Sequence, residues 1–146
     1  MDVCLIEYHE TLTYLTSDQL GGGFFVGWPN APTPETHRQI LKNSQAVVLA
    51  VDDKTQQVVG FINALSDGVL SAYIPLLEVL PAYQNQGIGG ELVRRILIRL
   101  KDLYMVDLLC DADLQPFYQK LGMNPATGML LRHYENQSGR TDLKNH

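Results

Sequence analysis

The chain has 146 residues, 45% of them hydrophobic and 18% charged, with a formal net charge of -5. That length fits one domain with a real core. The acidic balance argues against a general nucleic-acid binder, no apolar run is long enough to cross a bilayer, and the first residues lack a basic-then-apolar leader pattern.

In chain order, residues 2–8 read as a first strand and residues 11–20 as a short helix capped by Thr11 or Thr13, ended by Gly21-Gly22-Gly23. Residues 24–29, Phe24-Phe25-Val26-Gly27-Trp28-Pro29, are too apolar for a free loop. They pack on the core or a partner, or they line a substrate site as a lid. Thr33-Pro34-Glu35 supplies a cap, an N1 proline and an acidic first turn, so residues 34–43 read as a second helix. Residues 46–51 and 57–65 read as strands around the turn Asp52-Asp53-Lys54-Thr55. Ser66-Asp67-Gly68 is a hairpin signal, and residues 69–80 return antiparallel. Pro75 lies inside that return and lacks an N–H, which predicts a bulge or a parting of strands.

A helix is expected over residues 87–103, with Leu92, Ile96, Leu100 and Leu103 on one stripe. Residues 104–110 are apolar apart from Asp107 and suit a buried strand parallel to the one before the helix. A short helix over 114–121 stops at Gly122, a last strand covers 129–134, and residues 135–146 form a loose polar tail. The order β-α-α-β-β-β-α-β-α-β describes one mixed sheet flanked by helices, of the α/β class, in a domain spanning residues 1–134.

The chemistry concentrates at Val79-Leu80-Pro81-Ala82-Tyr83-Gln84-Asn85-Gln86-Gly87-Ile88-Gly89-Gly90, a strand end, a glycine turn and a helix start. Convergent N–H groups and the helix dipole make such a junction a nest for phosphate or pyrophosphate. A dinucleotide fingerprint needs glycine where Leu92 stands, and a Walker loop needs a lysine that Gly90-Glu91 does not supply. Downstream, Asp111-Ala112-Asp113-Leu114-Gln115-Pro116-Phe117-Tyr118-Gln119-Lys120-Leu121-Gly122-Met123 follows the next strand.

The Gln-x-x-Gly-x-Gly turn behind a Val-x-Pro strand end resembles the acetyl-CoA loop of the GCN5-related N-acetyltransferases, the GNAT superfamily. The later segment resembles that family's Phe-Tyr-x-Lys-Leu-Gly-Phe. The resemblance runs over about residues 2–134 and implies the GNAT fold as a single domain. It also implies an acetyl-CoA-dependent N-acetyltransferase that transfers directly, in a ternary complex, to a primary amine of a small molecule or peptide. The rival it leaves is a non-catalytic acyl-CoA sensor or regulatory module on the same scaffold.

Carried over by residue, the resemblance implies that Leu77, Glu78 and Val79 line the pantetheine arm and acetyl group. It gives Asn85, Gln86, Gly87, Ile88, Gly89 and Gly90 the pyrophosphate and makes Gln84 a brace for the turn. Tyr118 is implied as the general acid for the leaving thiolate, against a packing role. Glu78, the carboxylate inside the apolar run 76–80, is a general base, a cation-binding group or a solvated strand residue. Asp111 stands where many members carry Asn, and either touches the cofactor or caps the next helix. Cys4 and Cys110 are isolated, with no metal or disulfide spacing, and no histidine sits in a motif. The expected partners are acetyl-CoA and an amine, with no metal, nucleic acid or membrane. A homodimer through the aromatic loop and last strand is a further expectation, in a reducing cytoplasm.

Overall fold

The computed structural model describes residues 5–140. The starts of the expected first strand and of the chain, including Cys4, and the end of the tail, including His146, lie outside the described residues. Five strands, β1 (Ile6–His9), β2 (Ala46–Asp52), β3 (Val58–Ser66), β4 (Ser71–Val79) and β5 (Met105–Asp107), form one sheet in the order β1-β2-β3-β4-β5. All neighbours are antiparallel except β4 and β5, which are parallel. The helices are α1 (Pro34–Lys42), α2 (Ile88–Arg99) and α3 (Gln115–Gln119).

The core lies where the apolar pattern is continuous. All of β2 is buried, as is β3 from Val58 to Ala64, because helices cover both faces of these strands. Leu92, Val93 and Ile96 of α2 are fully buried on one face. Gly60 is needed there: a Cβ would meet Leu92 Cδ1 at 3.2 Å and Ile88 Cγ2 at 3.4 Å, so its absence lets α2 lie close on the sheet. On the other face Phe61 packs edge-on against Phe24 (5.2 Å between centroids) and His37 (4.4 Å). Thr33 caps α1 as expected, its Oγ1 accepting from the Thr36 N–H at 3.2 Å.

The hairpin after β3 is held by Asp67, whose carboxylate accepts from the N–H groups of Val69, Leu70 and Ser71. Those bonds to the charged form hold its pKa down to about 2. The bulge foreseen at Pro75 is present. Asn63 faces Leu76 and Leu65 faces Tyr73, so β4 carries one residue more than β3 around Pro75.

Several expectations are corrected. Residues 11–20 hold only a 3-10 turn over Ser17–Leu20, since Thr11, Thr13, Thr16 and Ser17 favour local side-chain bonds over helix. Helix α2 ends at Arg99, not near residue 103. Strand β5 is short and its Met105 and Asp107 are exposed, because it is the edge of the sheet rather than a buried partner. The helix expected over 114–121 is a 3-10 turn at Ala112–Leu114 followed by α3, ended at Gly122 with φ +101°.

Residues 129–134 form no strand. Met129 is 96% exposed and Leu131 77%, with no ladder partner beside them to fix an extended backbone. The tail is less loose than expected through residue 140. Gln137 Oε1 accepts from the Asn30 N–H at 3.0 Å, and Gly139 lies against Thr36.

Candidate functional site

Strands β4 and β5 pair only at Ser71, Ala72 and Tyr73 against Met105, Val106 and Asp107. Beyond Tyr73, β4 runs on to Val79 beside no strand on that side, while the chain leaves β5 for α3. The two parallel strands therefore part at their C-terminal ends, leaving a crevice where open α/β sheets take ligands. The Leu80 N–H donates to Val59 O at 2.8 Å on the β3 side. Antiparallel alternation then turns the N–H groups of Leu77 and Val79 the other way, into the crevice.

The glycine turn closes the top of this crevice. Pro81–Tyr83 form a 3-10 turn, and the Tyr83 hydroxyl donates to Asp52 Oδ2 at 2.7 Å, tying the turn to the end of β2. Asn85 (φ 64°) and Gly87 (φ 83°) are both left-handed, a state Asn tolerates and Gly takes freely. Such kinks aim successive N–H groups into a concavity, here at the positive end of the three-turn helix α2. A Cβ on Gly87 or Gly90 would meet nothing within 4 Å, so this surface is open to a ligand. Gln84 braces the turn as expected, its Nε2 donating to Val79 O at 2.9 Å. The Ile88 side chain is buried, so what it can offer a ligand is its backbone. Glu91 in the first turn of α2 is bound by Arg95 at 2.8 Å and by Arg94, which lowers its pKa and offsets its charge beside this open turn.

Helix α3 reaches this turn through Phe117, which a side chain at Gly89 would touch together with Val79. Tyr118 packs edge-on to Phe117 at 4.9 Å. Its hydroxyl makes no hydrogen bond among the described residues, and it lines an open cavity of about 1200 Å³ with Cys110, Gln115, Leu97 and Tyr73. Burial first, and the neighbouring Cys110 second, push its pKa up to about 12. Tyr118 is therefore a proton-bearing donor at any physiological pH.

Glu78 faces a different, smaller cavity of about 350 Å³. Its Oε1 accepts from the Phe25 N–H at 2.8 Å and its Oε2 from the Val26 N–H at 3.2 Å. Glu78 is thus partly buried and anchors the aromatic loop, whose Phe25 holds a positive φ of 65°. Leu77, Glu78 and Gln84 line this cavity together, whereas Tyr118 lines the other. The aromatic loop combines two of the foreseen roles. Phe24 and Phe25 are buried in the core, while Val26 and Trp28 stand exposed at the cavity.

Asp111 sits at the N-cap position of the 3-10 turn, but its side chain makes no capping bond and is exposed. The capping reading is corrected to a backbone role, with Leu114 N–H donating to Asp111 O at 2.9 Å. Asp107 is exposed on the edge strand. Among the described residues no cluster of three or more His, Cys, Asp or Glu is placed to hold a metal, and no helix is long and apolar enough to cross a membrane.

Sequence reasoning missed the Asp52–Tyr83 bond and the buried His37. The first links residues far apart in the chain, and nothing in either segment signals the other. His37 lies 1% exposed among Phe24, Phe25 and Phe61, its Nε2 without a hydrogen-bond partner among the described residues, and burial lowers its pKa to about 4.

The model of the acetyltransferase (GNAT) family matches residues 12–123. A putative acetyltransferase from Deinococcus radiodurans R1 has a crystal structure 53% identical, with a TM-score of 0.89 and 94% of each chain covered. The GCN5-related N-acetyltransferase 3, chloroplastic, of Arabidopsis thaliana is 44% identical over 68 residues, which cover 45% of this chain and 29% of that one. An N-acetyltransferase of Pyropia yezoensis, ycf52, described as uncharacterized, is 29% identical over 66% of this chain and 58% of its own length. The chain thus spans less than two thirds of the length of these curated relatives.

Proposed function

Because the chain belongs to the GNAT acetyltransferase family, we propose that it moves the acetyl group of acetyl-CoA directly to a primary amine of a small molecule or peptide, in a ternary complex. The observation that carries this reading is the parted β4–β5 pair. It joins crevice-facing N–H groups at Leu77 and Val79 to the left-handed turn at Asn85 and Gly87. In the reading, the N–H groups of residues 85–90 take the pyrophosphate at the start of α2. Leu77 and Val79 hold the pantetheine arm by backbone bonds, and the Val79 N–H polarises the thioester carbonyl as negative charge grows on its oxygen. Holding the thioester in the crevice with the amine beside it at Glu78 supplies much of the rate.

Glu78 takes up the amine from the smaller cavity. The bound ammonium first gives one proton to Glu78 or water, which frees its lone pair; the nitrogen then forms its bond to the acetyl carbon, the carbon–sulfur bond breaks, and a second proton leaves the nitrogen by the same route. Tyr118 meets the leaving sulfur. A tyrosine held near 12 is a weaker acid than a thiol of about 8.5. Tyr118 therefore acts first as a hydrogen-bond donor to the developing thiolate, and once its proton passes to the sulfur, water returns one to the tyrosinate. No falling limb in the pH–rate profile is expected from Tyr118 until pH approaches 12.

Tyr118→Phe tests the assignment: kcat is expected to fall by about 100-fold or more with little change in acetyl-CoA Kd. Equal loss of both, or of neither, overturns it. A non-catalytic sensor, the second reading, would bind acetyl-CoA and release no coenzyme A with any amine. Asp111 is kept as a contact to the cofactor, supported by its exposed position at the crevice end of the β5 segment. The reading assigns no metal, nucleic acid or membrane to the reaction, in keeping with the net charge of -5. It sets the reaction in a reducing cytoplasm, which the free thiol of Cys110 suits. A homodimer is part of the reading, supported by the exposed apolar residues Met129, Leu130 and Leu131.

A further inference from the structure

The geometry points to a specific acceptor class: a primary amine with a single positive charge and an apolar or aromatic body, bound in the cavity beside Glu78. This inference rests on the acetyltransferase reading and narrows it. The cavity of about 350 Å³ is lined by Trp28, Leu76 and Leu77, with the buried Phe25 and Phe61 behind them, and Glu78 is the one charged residue among those that line it. At about 30 Å³ for each water-sized group, the space takes roughly a dozen non-hydrogen atoms.

Glu78 is held for cation capture. Its two oxygens accept one backbone N–H each, from Phe25 and Val26. A carboxylate has about four acceptor sites, so about two remain for an ammonium group. The same bonds fix its direction, so the amine meets an oriented anion rather than a mobile one. Phe61 lies opposite Glu78 across the β3–β4 ladder, and the exposed Trp28 ring stands at the mouth, backed at 4.9 Å by the buried Phe25 ring. An aromatic face next to an anion favours a cation with an apolar or aromatic body.

The same composition rejects other amines. A polyamine or aminoglycoside carries further ammonium groups, and each would lose water against aromatic and aliphatic walls with no second carboxylate to meet it. A peptide N-terminus brings an amide that needs partners, and besides Glu78 only Gln84 and the Trp28 indole offer polar side-chain atoms on the lining. One Gln84 N–H is already given to Val79 O. Selectivity here comes from what the pocket leaves unpaired as much as from what it binds.

The test uses the full chain with acetyl-CoA, reading coenzyme A release for phenethylamine, hexylamine, spermidine, kanamycin and a dipeptide amide. The two monoamines are expected to exceed the others in kcat/KM by about tenfold or more. Glu78→Gln should raise KM for hexylamine by about tenfold while the acetyl-CoA Kd stays within about twofold. Trp28→Ala should lower kcat/KM for phenethylamine more than for methylamine. A preference for spermidine, kanamycin or the dipeptide, or a hexylamine KM unmoved by Glu78→Gln, overturns the assignment. Calorimetric titration of phenethylamine into the protein saturated with coenzyme A separates this inference from the reading beneath it. Binding without any turnover keeps the pocket assignment and overturns acetyl transfer. Turnover of other amines with no phenethylamine binding overturns the pocket assignment and keeps acetyl transfer.

Discussion

The block formed by β2, β3, β4 and α2 and the segment from β5 onward are built in opposite ways. In the first, whole strands are buried and a glycine at position 60 exists so that helix and sheet can touch. In the second, β5 is three residues long, and residues 129–131 point large apolar side chains at solvent. The candidate site lies on the boundary. The glycine turn and the crevice-facing N–H groups come from the buried block, and Tyr118 comes from the open segment. For the proposed reaction that division puts precision where it is needed: a thioester would be held to within a fraction of an ångström, whereas the wall would admit and release a long ligand.

The comparison can be broken most sharply in the core. Phe61→Ala removes a fully buried ring that touches Phe24, Phe25 and His37. The expected cost is about 3–5 kcal/mol in denaturant unfolding. A loss under about 1 kcal/mol would show that the block is not the stable part.

A smaller effect is tied to pH. Burial puts the folded pKa of His37 at about 4, below its ordinary 6.5, so the unfolded chain takes up this proton first. Its contribution leaves stability unaffected above about pH 6.5 and destabilises as pH falls from there toward 4, by on the order of 3 kcal/mol in all. His37→Phe should flatten the stability curve across that window. An unchanged slope would mean that the imidazole is not sealed in the block.

The smallest effect is expected at Met129 and Leu131. Exposed as they are in the single chain, Met129→Ala and Leu131→Ala should each change stability by less than about 0.5 kcal/mol at concentrations where the chain is monomeric. At higher concentration the proposed homodimer predicts a larger loss with a fall in mass by light scattering, and an effect independent of concentration would overturn it.

How far the sequence carried the account follows the same division. In the block, local signals agree with tertiary demands: Thr33-Pro34-Glu35 starts α1, Asp67 closes the hairpin, and Pro75 marks the bulge. The glycine turn was legible because its chemistry is backbone chemistry, and backbone needs such as the left-handed Gly87 write themselves into residue type. Past Asp107 the apolar runs looked the same as those in the block. Strand pairing needs a neighbour, though, and periodicity reports propensity rather than the presence of one. The two-point grip of Glu78 on Phe25 and Val26 was hidden for a related reason. It joins residues more than fifty positions apart, and only the folded chain brings them together.

The most direct test of the central claim pairs two measurements on the wild type and Tyr118→Phe: amine-dependent coenzyme A release and acetyl-CoA Kd by calorimetry. The account predicts release by the wild type, a kcat lower by about 100-fold or more in the variant, and closely similar Kd values. Acetyl-CoA binding by the wild type with no amine-dependent release, or a variant that turns over at the wild-type rate, would contradict it.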